Sequence, residues 1–167
     1  MSDTGTDTTR PARIEDAAAI AAIYNEAVVS STATFDLEAI TAESRAEWLA
    51  AHGELHPVLV VQRAGRVVAW GSLSSVSDRG AWSATVEIST YVESTQLGTG
   101  LGTLLGIELI ERAQGLGHHV VLSRVCAENI ASIHLAEKLG FTRIGVMHEV
   151  GRKFGRWLDV VMLEKRL

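Results

Sequence analysis

Three glycines at alternate positions, Gly98, Gly100 and Gly102, stand directly before an apolar run with helical spacing, "TLLGIELIERA". Glycine has no Cβ and accepts positive φ, so the backbone of such a loop can approach a ligand closely. The first N–H groups of the following helix have no partners within the helix and carry a partial positive charge. The stretch therefore predicts an anion site at the start of a helix.

The spacing of this loop excludes two common nucleotide motifs. A Walker A loop requires Lys and then Ser or Thr after its last glycine, whereas Gly102 is followed by Thr103 and two leucines. The dinucleotide pattern G-x-G-x-x-G requires glycine at 103 or 105, where the sequence has Thr103 and Leu105. Two interpretations stay open: a site for the diphosphate of coenzyme A, or a turn that only changes the direction of the chain.

Glu87 lies just before the loop, in the run "ATVEISTYV", which is typical of a strand. Alternation places Val86 and Ile88 on one face of this strand and Glu87, Ser89 and Tyr91 on the other. A carboxylate in this position can act as a general base for an amine. A glutamate on a polar strand face is also commonly just solvated, and the residues alone do not decide between the two.

Composition limits the class of protein. The chain has 167 residues, of which 47% are hydrophobic and 21% charged, which is typical of one folded domain. Its formal net charge of −5 argues against a dedicated nucleic-acid-binding protein. The single cysteine, Cys126, permits no intrachain disulfide, and no Cys/His cluster has metal-ligand spacing, so we expect no metal. Without a signal peptide or a membrane-spanning run, we expect a cytoplasmic protein that does not bind a membrane.

Hydrophobic periodicity predicts the elements that position these residues. We expect residues 1–11 to form a flexible tail and residues 12–167 to form one domain whose first strand is "ARI". Apolar spacing and capping residues predict helices beginning at Asp16, Thr41 and Asn129, and a further helix over residues 103–116. The order β-α-α-β-β-β-α-β-α-β-β predicts an α/β protein with a mixed sheet covered by helices.

Five blocks of the chain resemble the GNAT superfamily of N-acetyltransferases, and within it phosphinothricin N-acetyltransferase and the methionine sulfoximine acetyltransferases. They are "IYNEAVVSSTATFD", "TVEISTYV", "GTGLGTLL", "AENIASIHLAEKLGF" and "VGRKFGRWLDVV", and together they span nearly the whole chain. The resemblance implies the GNAT fold, an α+β arrangement of about seven strands and about four helices. It also implies direct acetyl transfer from acetyl-CoA to a small amine, Glu87 as general base, and a homodimer.

The resemblance assigns the glycine loop to the diphosphate of acetyl-CoA and the preceding strand to its pantetheine arm. The family usually has Arg or Gln where this chain has Leu97, but the loop amides still provide donors. The implied cofactor contacts are Ser89, Thr90, Tyr91, Leu97, Gly98, Thr99, Gly100, Leu101, Gly102, Thr103 and Asn129. N-capping of a helix is an equally good account of Asn129.

The family segment R-x-R-x-x-Y, which contacts acidic groups of the substrate, corresponds here to "SDRGAW". One cationic contact is missing because Ser77 replaces the first basic residue, which favours methionine sulfoximine or sulfone over phosphinates. The implied substrate contacts are Phe35, Ser77, Arg79, Trp82, Val86, Glu87, Ile88, Lys153 and Trp157.

A general acid for the departing thiolate is missing from the expected place. Relatives often carry His or Tyr where this chain has Ala136, and His134 lies about 200° away around the helix. We therefore expect solvent to supply that proton. Two other functions stay open: acetyl transfer to a polyamine, an aminoglycoside or a protein N-terminus, and a non-catalytic acyl-CoA-binding module.

Overall fold

The computed structural model describes residues 7–167. Within this range, a seven-stranded mixed sheet is covered by four helices, which confirms the predicted fold class. The strands are β1 (Thr8–Pro11), β2 (Val58–Arg63), β3 (Arg66–Ser75), β4 (Thr85–Val92), β5 (Val120–Cys126), β6 (Thr142–Lys153) and β7 (Arg156–Arg166). The helices are α1 (Ala17–Ser30), α2 (Ala42–Ala51), α3 (Leu101–Gly115) and α4 (Ile130–Lys138).

The strands lie in the order β1-β2-β3-β4-β5-β7-β6. β4 and β5 are parallel neighbours, whereas the other paired strands are antiparallel. The pairing between β4 and β5 ends at Glu87 and Leu122, although β4 continues to Val92 and β5 to Cys126. The two strands therefore separate in the middle of the sheet.

The two faces of the sheet carry separate hydrophobic cores. α3 and α4 cover one face, where Leu105, Leu109 and Ile133 are buried. α1 and α2 cover the other face, where Ile20 and Trp70 are buried. Side chains alternate along a strand, so consecutive residues of β4 point to opposite faces of the sheet. Val92 packs against the core under α3, and Tyr91 packs against the core under α1.

Two helices begin at the predicted capping residues. Thr41 Oγ1 accepts a hydrogen bond from Ser44 N–H at 3.0 Å at the start of α2, and Asn129 Oδ1 accepts one from Ser132 N–H at 3.2 Å at the start of α4. These bonds use helix amides that would otherwise have no partner.

The start of α3 differs from the prediction. The helix begins at Leu101 and not at Thr103, directly after Gly100, whose φ is +88°. A left-handed residue at this place suits glycine, which has no Cβ to clash with the backbone. The last predicted residue, Leu116, follows the end of the helix at Gly115.

Two predictions at the N-terminus are wrong. Thr8–Pro11, assigned to the flexible tail, form β1 and pair with β2, so the first strand precedes "ARI". Asp16 provides no side-chain cap for α1. Its carboxylate instead accepts hydrogen bonds from Arg10 Nη1 at 2.7 Å, Arg10 Nη2 at 2.8 Å and the Arg13 N–H at 2.8 Å. Residues 1–6 of the predicted tail lie outside the described residues.

Across residues 7–167, none of the helices has the length and apolar character needed to cross a membrane. The same residues contain no group of three or more His, Cys, Asp or Glu side chains arranged to hold a metal ion.

Candidate active site

A groove opens where β4 and β5 separate. Beyond Glu87, the β4 residues Ser89 and Thr90 face Ser123 and Val125 of β5 without strand pairing between them. A parallel strand normally has hydrogen-bond partners on both sides within a sheet. The edges that line this groove therefore offer backbone groups to an extended ligand.

The groove widens toward the glycine loop, where its volume is about 930 Å³. Gly98 and Gly100 line it with φ values of +74° and +88°, and a Cβ at either position would meet no atom within 4 Å. No side chain caps α3, so the first amides of this helix are free to donate hydrogen bonds. This end of the groove has the properties of an anion site.

The predicted cofactor contacts fall largely along this one groove. The lining includes Ser89, Thr90, Tyr91, Leu97, Gly98, Gly100, Gly102, Thr103 and Asn129. Two further predicted cofactor residues, Leu101 and Thr99, have side chains with other contacts. Leu101 is buried in the α3 core, so only its backbone is available, and the Thr99 hydroxyl donates to the Gln96 carbonyl at 2.7 Å.

The opposite wall of the groove was missed by the sequence analysis. It consists of the C-terminal end of α1 and the residues after it, among them Ala27, Ser30 and Ala33, together with Ser132 and Leu135 of α4. The residues of α1 and those just after it lie in the block "IYNEAVVSSTATFD", which resembles the family, but their periodicity indicated only an amphipathic helix and no contact with a cofactor.

Glu87 stands at the point where the strands part. Its carboxylate accepts a hydrogen bond from Arg124 Nε at 2.8 Å, and the second carboxylate oxygen accepts one from Arg124 Nη2. The Glu87 side chain is 17% exposed and that of Arg124 is 51% exposed. Arg124 also lines the groove, and the sequence analysis did not include it in the site.

Comparison with known proteins decides the family. The acetyltransferase (GNAT) domain model matches residues 10–162. The chain is 38% identical over 159 residues to the L-amino acid N-acyltransferase MnaT of Escherichia coli, which covers 95% of this chain and 92% of that protein. The chain belongs to the GNAT superfamily of N-acetyltransferases.

Two further relatives agree with this assignment. The L-methionine sulfoximine/L-methionine sulfone acetyltransferase of Pseudomonas paraeruginosa is 39% identical over 160 residues, or 95% of this chain and 93% of that protein. The structure of a phosphinothricin acetyltransferase from Sinorhizobium meliloti in complex with acetyl-CoA matches with a TM-score of 0.93 at 30% identity, over 97% of this chain and 89% of that one. The GNAT fold and an N-acetyltransferase activity are thereby confirmed.

The predicted substrate residues of this acetyltransferase lie in several places. Ile88 lines the groove, whereas the Val86 side chain is fully buried in the α3 core, so only the Val86 backbone is available to a substrate. Ser77, Arg79 and Trp82 lie in the segment between β3 and β4. Arg79 and Trp82 are exposed there, and neither lines the groove.

Lys153 and Phe35 lie outside the groove lining, where the end of β6 packs against the loop after α1. The Lys153 ammonium is buried and donates to the Thr34 carbonyl at 2.8 Å, and burial lowers the pKa of this amine. The Phe35 ring packs directly against Gly151, because a Cβ added at Gly151 would lie only 2.2 Å from Phe35 Cε2. These contacts attach the loop after α1 to the end of β6. Trp157 is 60% exposed beneath the Arg152 guanidinium.

Tyr91 belongs to an aromatic cluster behind the groove. Its ring stacks on Trp70 at 4.9 Å between centroids and meets Tyr24 edge-on at 5.0 Å. Burial raises the pKa of the Tyr91 phenol, so this side chain is neutral at physiological pH. The buried Arg45 guanidinium lies over the Trp48 ring at 4.3 Å and extends the cluster to α2.

The helix that follows β5 has the predicted orientation. Ala136 lines the groove, while His134 is exposed and lies outside the groove lining. Ala136 cannot donate a proton, so this position provides no acid.

Proposed function

We propose that this acetyltransferase transfers the acetyl group of acetyl-CoA to the amine of a small amino-acid-like acceptor, of the methionine sulfoximine, methionine sulfone or phosphinothricin type. The groove between β4 and β5 carries the proposal, because it runs from an anion site at α3 to Arg124, whose guanidinium donates to the Glu87 carboxylate. The acceptor class rests on relatives that act on L-amino acids and on methionine sulfoximine or sulfone.

Two features of the groove support acetyl-CoA as its ligand. The free amides at the start of α3 would hold the diphosphate, and the β4 edge from Ser89 to Tyr91 would pair with the pantetheine amides as an added strand does. Lys138 lines the wide end and adds a cationic side chain near the phosphates, whereas Arg156 at the same end is paired with Glu128. Bound there, acetyl-CoA supplies a thioester carbonyl that forms a C–N bond with the amine as the C–S bond breaks.

Glu87 is proposed to prepare the acceptor for this reaction. An amine reacts only without its extra proton, so the Glu87 carboxylate accepts one proton from the ammonium, directly or through a water molecule. The nitrogen gives up a second proton as the amide forms. One of the two protons ends on the coenzyme A thiol and the other on solvent. With a reference thiol pKa of about 8.5, the thiolate can leave without an acid from the protein.

Replacement of Glu87 by Gln tests its role. Since Gln keeps the shape but cannot accept the proton, we expect the rate of acetyl transfer to fall by about 10² to 10⁴ while acetyl-CoA affinity is retained. Glu93→Gln is a matched control, because Glu93 is also 17% exposed and also pairs with an arginine through both oxygens. A loss smaller than tenfold in Glu87→Gln, or an equal loss in Glu93→Gln, would contradict the proposal.

Replacement of Gly100 by Glu tests the cofactor site. Acetyl-CoA at 100 times its dissociation constant should stabilise the parent protein against unfolding by about 2.7 kcal/mol. Gly100→Glu places a carboxylate at the anion site and should abolish most of this effect. Gly117→Glu, just after the other end of α3, adds the same charge in open space at a residue with a similar φ of +82° and should keep it. Tight acetyl-CoA binding by Gly100→Glu would refute the assignment.

A second copy of the chain is the proposed partner of β6. This strand lies at the edge of the sheet and exposes Ile144, Val146 and Val150, which are 50%, 46% and 52% exposed. An unpaired apolar edge strand of this length favours association with another chain. We expect a homodimer by sedimentation and a monomer for Val146→Lys. Ile107→Lys, at an apolar residue of similar exposure on α3, should leave the dimer intact; a monomeric parent would overturn this proposal.

A further inference from the structure

Arg124 occupies the place that an acceptor ammonium must reach. Its guanidinium donates from Nε and from Nη2 to the two oxygens of Glu87, and these hydrogen bonds to Glu87 raise the pKa of Arg124. Among the described residues, Arg124 is the cation that pairs with this carboxylate. An amine that gives its proton to Glu87 therefore has to displace the guanidinium from at least one carboxylate oxygen.

Displacement alone would leave Arg124 without an anion at the side of the groove. Loss of this carboxylate is unfavourable for Arg124 because charge-assisted hydrogen bonds are stronger than neutral ones. An α-amino acid resolves this problem, since it carries an ammonium for Glu87 and a carboxylate for Arg124 on the same carbon. A guanidinium binds a carboxylate through two parallel N–H···O bonds, so the released group is well suited to that carboxylate.

We propose that Arg124 binds the α-carboxylate of the acceptor, which enters between Arg124 and Glu87 and exchanges one ion pair for two. This inference rests on the proposed function and names a residue that selects its acceptor class. It makes Arg124 a determinant of specificity for amino acids. Polyamines and other amines without an acidic group gain no partner for Arg124 and meet its positive charge.

Other cations in and around the groove are less suited to this task. Lys138 and Arg156 line the wide end of the groove, beside the glycine loop. Lys153 is buried and donates to the Thr34 carbonyl, and Arg45 is packed against aromatic rings of the α2 face. Arg79 is exposed in the segment before β4. Arg124 combines a side chain that is half exposed with a position in the groove lining.

A pair of matched acceptors tests the inference with Arg124→Gln. L-Methionine sulfone is compared with 3-(methylsulfonyl)propylamine, which has the same side chain and amine but lacks the carboxylate. The ratio of kcat/KM for the acid to kcat/KM for the amine should fall by about tenfold to a hundredfold, with most of the change in KM for the acid. Arg124→Lys should restore part of the ratio, because it keeps the charge without the planar fork.

Arg66→Gln serves as the matched control. Arg66 is 59% exposed and pairs through two nitrogens with Glu93, but it lies outside the groove lining, so the ratio should stay at the parent value. Equal losses for the two acceptors in Arg124→Gln, or no loss, would overturn the role of Arg124 and leave the proposed function standing. A parent enzyme that acetylates only the amine without a carboxylate would overturn both.

Discussion

Gly71 of β3 offers a sharp test of how the groove is positioned. A Cβ at this residue would lie 2.8 Å from Leu109 Cδ1, 2.9 Å from the Ser89 carbonyl oxygen and 3.1 Å from Thr90 Cγ2. Leu109 is fully buried, and the Ser89 oxygen belongs to the backbone of β4, so neither can move away freely. Gly71→Ala must therefore push β4, which is the strand that lines the groove.

The magnitude follows from two opposing effects. Overpacking of a core by one methyl group costs about 1–3 kcal/mol, whereas Gly→Ala in a compatible backbone stabilises by about 0.4–1 kcal/mol through the unfolded state. The net result is a loss of about 0.5–2 kcal/mol in the free energy of unfolding, measured by urea denaturation. Because Ser89 and Thr90 shift with β4, the Kd for acetyl-CoA, measured by calorimetry, should rise by about fivefold, or about 1 kcal/mol.

Gly115→Ala in α3 is the control for this prediction. It makes the same change, but a Cβ there would meet no atom within 4 Å. Its free energy of unfolding should stay within about 1 kcal/mol of the parent value and should not fall below it, and its acetyl-CoA affinity should be unchanged. A Gly71→Ala protein as stable as the Gly115→Ala protein, with parental affinity, would refute the reasoning about β4.

Three other substitutions give separate tests. Ser77→Arg should raise kcat/KM for phosphinothricin about tenfold more than for methionine sulfone if it restores one charge-assisted bond, and equal gains would show that residue 77 does not contact the acidic group. His134→Ala should change kcat by less than about tenfold, because the side chain is exposed outside the groove lining; a collapse of kcat with intact acetyl-CoA binding would make it the general acid. Asp16→Asn should lower the free energy of unfolding at pH 7 by about 1.5–3 kcal/mol. The hydrogen bonds from Arg10 hold the pKa of Asp16 below its usual value, so this stabilisation is present above the unfolded pKa of about 3.9 and is lost as the pH falls through the folded pKa. Urea denaturation should thus find a smaller difference between parent and variant below about pH 4, and a constant difference would contradict the role of this ion pair.

Features that depend on neighbouring residues in the sequence were predictable. The alternate glycines before an apolar helix indicated a loop with positive φ values and a helix start without a side-chain cap, because backbone freedom and helix amides are local properties. Thr41 and Asn129 indicated the starts of α2 and α4 for the same reason, since a cap bonds to an amide within its own first turn.

Features that depend on long-range pairing were not predictable from one sequence. Arg124 meets Glu87 because β5 pairs in parallel with β4, and a strand pattern gives neither the partner strand nor the register. Asp16 had the residue type and position of an N-cap. Its carboxylate instead forms an ion pair with Arg10, which β1 brings close to it. The α1 wall of the groove likewise depends on how the helix packs on the sheet.

The most direct test of the proposed reaction uses the parent protein with acetyl-CoA and L-methionine sulfone. Release of coenzyme A thiol is followed with a thiol reagent, and the N-acetyl product is measured by mass spectrometry in the same samples. The proposed function predicts that thiol and N-acetylmethionine sulfone appear in equal amounts, and that both fall by about 10² to 10⁴ in Glu87→Gln. Acetyl-CoA binding without thiol release above the background of hydrolysis, for every amino-acid acceptor supplied, would contradict it.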